Sequence, residues 1–136
     1  MRTNVYIDAF NLYYGCLKGS PYRWLDLGLL CRLLLPGYSI NRIRYFTAVV
    51  ELVDAFRGEY EAAVVISNDS DLKAPIEAAR TEFGLIVGVA IPNVRVRRSA
   101  LPADFYRRIR KGALAASQFP PTLRDENGPI TRPPSW

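Results

Sequence analysis

Two short stretches hold the residues best placed to do chemistry. In "VYIDAFN" (5–11) Asp8 ends a β-prone apolar run, and Asn11 follows one helical turn later. In "VVISNDSDL" (64–72) Asp69 and Asp71 stand one residue apart after a second apolar run. Carboxylates in such places form either turns or a site. If the two strands are neighbours, three carboxylates share one crevice and repel, and either a proton or a cation must relieve them. The sequence has no histidine, which excludes Ser-His and Cys-His nucleophiles and His-ligated zinc. Any metal would then be held by oxygen, which suits Mg²⁺ or Mn²⁺. Such an ion can hold a phosphodiester and acidify an attacking water.

Each of these residues also has a plainer role open to it. Asn11 either orients a metal-bound water or makes a hydrogen bond at a helix end. Ser67, Asn68 and Ser70 either line the site or serve as ordinary turn residues. Asp71 also fits as N-cap of a helix starting at Leu72.

The positioning elements follow from pattern. Asn4–Asp8, Ile40–Val50, Ala62–Ser67, Leu85–Ile91 and Phe105–Ile109 read as strands. Helical spacing covers Ala9–Leu17, Leu27–Leu35 (capped by Asp26), Glu51–Phe56, Leu72–Phe83 and Lys111–Gln118. Alternation of strands and helices predicts a doubly wound, Rossmann-like, mostly parallel sheet with helices on both faces. "VVIS" and "LIVGVAI" are apolar at consecutive positions, as doubly covered strands should be. In such sheets ligands bind beyond the carboxyl ends of the strands, where strand order reverses. The domain is expected over residues 1–118. The remainder, 119–136, holds five of the ten prolines and reads as an extended or disordered tail.

The net charge of +5 is unevenly placed. Arg95, Arg97, Arg98, Arg107, Arg108, Arg110 and Lys111 crowd residues 92–111 against Asp104 alone. That concentration is either a footprint for a polyanion or a solvated basic face. Tyr13, Tyr14 and Tyr45 would stack bases if exposed and pack the core if not. Two cysteines off metal spacing, and no signal or membrane segment, place the chain in the cytoplasm as an expectation. An uncovered sheet edge would offer a route to a homo-oligomer.

"YIDAFNLYYG" (6–15), "AFRGEYEAAVVISNDSDLKAPIEAA" (55–79), "VGVAIP" (87–92) and "ADFYRRIRKGALAASQFP" (103–120) resemble NYN-domain proteins of the LabA-like group, within the PIN-like nuclease superfamily. The resemblance implies a PIN-like fold and a divalent-metal endoribonuclease that hydrolyses single-stranded RNA. Asp8, Asp69 and Asp71 would bind Mg²⁺ or Mn²⁺, and Asn11 and Asn68 would support them. The chain departs from that pattern in its middle. Only the 13 residues Val49–Glu61 run from the end of the second strand to the start of the third, where family members usually carry a further strand and an acid-bearing helix. An inactive module on the same fold, holding RNA or a protein, is therefore the alternative expectation. A receiver-type acceptor aspartate at Asp8 is a third. No G-x-G-x-x-G or Walker motif follows any strand, which argues against dinucleotides and nucleoside triphosphates.

Overall fold

The structure, a computed structural model, describes residues 1–46, 60–92 and 99–136. Five parallel strands form one sheet in the order β2-β1-β3-β4-β5. They are β1 (Arg2–Asp8), β2 (Ser39–Phe46), β3 (Ala62–Ile66), β4 (Ile86–Ile91) and β5 (Phe105–Arg108). The helices are α1 (Ala9–Leu12), α2 (Leu27–Leu34), α3 (Lys73–Thr81) and α4 (Lys111–Ala116). The predicted α/β architecture is the one observed.

The three central strands are nearly continuous runs of buried residues, because helices cover both faces. Side chains alternate across a strand, and the sequence uses both sets. Val5, Ile7, Val64, Ile66 and Ala90 pack with Leu12, Leu30, Leu34 and Leu114 of α1, α2 and α4. Tyr6, Ala63, Val65, Val87, Val89 and Ile91 pack with Ile76 and Ala79 of α3. Asp26 caps α2 as expected, its carboxylate accepting from Leu29 N at 3.1 Å.

Gly88 pairs with Phe105 across β4 and β5. A Cβ at residue 88 would clash with the Cζ, Cε1 and Cε2 atoms of Phe105. That ring also packs on Tyr38, centroid to centroid 5.5 Å, so it has little room to yield. Gly88→Ala should therefore cost about 1–3 kcal/mol through overpacking, read as a lower urea midpoint with unchanged m-value. An unshifted midpoint would mean the ring is free to move.

Two sequence expectations are corrected. The helix expected over Ala9–Leu17 is one turn of α-helix followed by a π-helical segment, Tyr13–Leu17. The C-terminal residues, expected extended or disordered, contain an antiparallel hairpin of β6 (Thr122–Asp125) and β7 (Gly128–Thr131). Its turn uses Asp125 Oδ1 accepting from Asn127 N at 2.8 Å, with Gly128 at φ 115°. Trp24 anchors the segment. Its Nε1 donates to Pro120 O at 2.7 Å, and its ring meets Phe119 and Trp136 edge-on at 5.9 and 5.8 Å. The predicted helix at Glu51–Phe56 lies outside the described residues.

Candidate functional site

Strand order reverses between β1 and β3, both of which carry the sequence on to the same carboxyl edge of the sheet. The two motifs meet there. Asp8 is 7% exposed and caps α1, with Oδ1 accepting from Asn11 N at 3.1 Å. Its Oδ2 accepts from Asn11 Nδ2 at 3.0 Å and from Ser67 Oγ at 2.9 Å. Asn11 completes the bridge by accepting on Oδ1 from Asn68 N at 3.1 Å. Ser67 Oγ in turn accepts from Asp69 N at 3.0 Å. Asn11 thus spends one side of its amide on β1 and the other on the β3 exit, which fixes how it points.

This network uses up the carboxylates singly. Both Asp8 oxygens are committed to donors from Asn11 and Ser67. Asp69 accepts from Asp71 N at 3.0 Å and caps the short 3₁₀ turn Ser70–Leu72. Asp71 is exposed, and it is Asp69 whose carboxylate caps the turn leading into α3. Among the described residues no three metal-ligating side chains gather. Asp8, Asp69 and Asp71, expected as a metal triad, are not gathered into one such group. Hydrogen-bond donors from Asn11 and Ser67 meet the buried carboxylate of Asp8.

What the network does build is a cleft of 370 Å³ lined by Phe10, Asn11, Tyr14, Gly15 and Asn68. Phe10 and Tyr14 stand one turn apart and expose 55% and 62% of their surface. Leu12 and Leu17, on the inward side of the same segment, are buried. Asn68 Oδ1 is shut off from solvent with no hydrogen-bond partner. An acceptor left in that state costs about 1–3 kcal/mol. The π-helical segment supplies Tyr14 and Gly15, and such segments are frequent at functional sites.

Of the predicted site residues, Asp8, Asn11, Ser67, Asn68 and Asp69 come together, whereas Ser70 and Asp71 face solvent. Arg108 ends β5 at the same carboxyl edge, but three strand spacings from β1, roughly 14 Å. Arg107 lies over the Phe105 ring at 4.9 Å, and Arg110 and Lys111 are exposed. Arg95, Arg97 and Arg98 lie outside the described residues. Tyr13 packs against the core, whereas Tyr45 is 55% exposed on edge strand β2. Phe10 and Gly15 escape a motif-based reading. The signal that could have found Phe10 is an aromatic pair at helical spacing, off the Leu12–Leu17 face.

Behind the cleft, the Cys16 thiol donates to Pro92 O and ties the π-helical segment to the end of β4. Burial pushes its pKa up to about 11, and that of Cys31 up to about 12, the latter mainly by burial. Both cysteines are free. Both should therefore react with a disulfide reagent at pH 8 at least about 100-fold more slowly in the native protein than in denaturant, the thiolate being the attacking form. Equal rates would contradict the burial.

No family model matches the chain, and no solved structure matches it. The chain is similar to the 6-hydroxy-3-succinoylpyridine 3-monooxygenase HspA of Pseudomonas putida (strain DSM 28022 / S16). Identity is 23%, and the match covers 100% of this chain and 75% of that protein. The alignment runs over 236 positions against the chain's 136 residues, so the relative carries much inside the matched span that this chain lacks. This finding overturns the expectation of a hydrolase cleaving RNA. The relative matched along the whole chain is by name an oxidoreductase.

Proposed function

We propose that this protein is an oxidoreductase of the monooxygenase kind, acting on a hydroxylated aromatic heterocycle bound in the cleft between β1 and β3. The observation that carries the proposal is the match along all of this chain to a protein named as a monooxygenase of 6-hydroxy-3-succinoylpyridine. The cleft supports it. Phe10 and Tyr14 offer two aromatic faces for a ring, Asn11 and Asn68 offer polar contacts, and the place is the expected one at the reversal of strand order.

The chemistry balances at a ring carbon that bears hydrogen: the C–H, dioxygen, two electrons and two protons go in, and one ring hydroxyl and one water come out. The electrons come from a donor that is bound or supplied from outside. The lining side chains bind and orient. The ring lies against Tyr14 and Phe10, and the fixed Asn11 amide sets its edge. The ring's own hydroxyl group makes it electron-rich and prone to attack by an activated oxygen.

The test is turnover of 6-hydroxy-3-succinoylpyridine under ¹⁸O₂ with NADH as electron donor, with and without added flavin. The expected product carries one ¹⁸O atom. Label-free product, or unchanged substrate under every condition, would contradict the proposal.

A further inference from the structure

We propose that Lys18 makes the cleft selective for aromatic ligands that carry a carboxylate. This rests on the ring-binding reading above and adds the charge of the ligand to it. Lys18 follows the π-helical segment, and its backbone is fixed by donation of its N–H to Tyr13 O at 2.7 Å. Its Nζ lies 5.1 Å from the centroid of the Tyr14 ring, the exposed wall of the cleft. The ammonium therefore stands over the face of an aromatic ring, a cation–π contact. Tyr13 meets Tyr14 edge-on at 5.1 Å and limits the freedom of that ring. Among the described residues no carboxylate pairs with Lys18, and the lining of the cleft contains no acid. Asp8, the nearest acid in the network, has both oxygens turned to Asn11 and Ser67.

A ring laid against Tyr14 would thus have the Lys18 ammonium, which no carboxylate among the described residues neutralises, close to its edge. A neutral ring leaves that ammonium unused, whereas an acid side arm pairs with it. The ligand class is an aromatic heterocycle with an acidic arm. Lys18 acts here as a specificity residue and has no part in the oxygen chemistry.

Calorimetric titration of the full chain with 6-hydroxypyridine-3-carboxylate and with the matching carboxamide tests this. The native protein is expected to bind the acid about five- to ten-fold tighter at low salt. That preference should shrink in 0.5 M NaCl, as a half-exposed ion pair is screened. Lys18→Met keeps an apolar stem and should bind acid and amide equally, near the affinity of the amide. Equal binding of the two by the native protein, or a preference that survives in Lys18→Met, overturns the role of Lys18 and leaves the cleft standing. Failure of both ligands to bind the native protein overturns the cleft and the role of Lys18 together.

Discussion

Asp8→Ala should lower stability by about 3–4 kcal/mol, the largest effect of any single change at the site. Three losses combine. The N-cap of α1 disappears, worth about 1 kcal/mol. Two hydrogen bonds to a charged acceptor go, and the buried Ser67 hydroxyl loses its acceptor. Asp8→Asn separates these terms. Its single carbonyl can serve the Oδ1 donor or the Oδ2 donors, but its NH₂ then faces a donor on the other side. A loss of about 1–2 kcal/mol is expected for it, between Ala and the native residue. Denaturant titration of the three proteins checks the order. A neutral Asp8→Ala would mean that the carboxylate is not what joins the β1 and β3 exits. A metal-site carboxylate would behave otherwise, because its removal relieves repulsion and raises the stability of the metal-free protein.

Tyr14→Ala should leave stability almost unchanged, within about 0.5 kcal/mol, since the ring is 62% exposed. Ring binding should nonetheless fall about ten-fold or more, as stacking on an aromatic face is worth about 1–3 kcal/mol per ring. Tyr14→Phe keeps the face and should keep the affinity. The contrast between an intact fold and a lost ligand marks Tyr14 as a binding residue, and isothermal titration beside a thermal melt reads both. Retained affinity in Tyr14→Ala would remove the aromatic wall from the account.

The sheet was legible because its signals are local. Consecutive apolar residues in "VVIS" and "LIVGVAI" announce strands covered on both faces, and Asp26 and Pro36-Gly37 bracket α2. The meeting of Asp8 with Ser67 was legible too, once two strand ends were expected at one switch point. The role of the acids was not. A lone D-x-x-N spacing is the same for a metal ligand as for an N-cap, and neither the cap bond nor the reach of Asn11 to Asn68 can be read from it. The hairpin was hidden for a different reason. Proline content argued for a loose tail, but its anchor, Trp24, lies more than ninety residues earlier in the chain. The π-helical segment leaves no compositional mark, so the outward turn of Tyr14 could not be read from spacing.

An aromatic heterocycle should bind where β1 and β3 diverge, and an NMR titration of the ¹⁵N-labelled protein with 6-hydroxy-3-succinoylpyridine reads this residue by residue. Saturable shifts should centre on the amides of Phe10, Asn11, Tyr14, Gly15 and Asn68, with the Asn11 and Asn68 side-chain amides moving most. Shifts clustered instead around the hairpin or β5, or a spectrum unchanged at millimolar ligand, would contradict it.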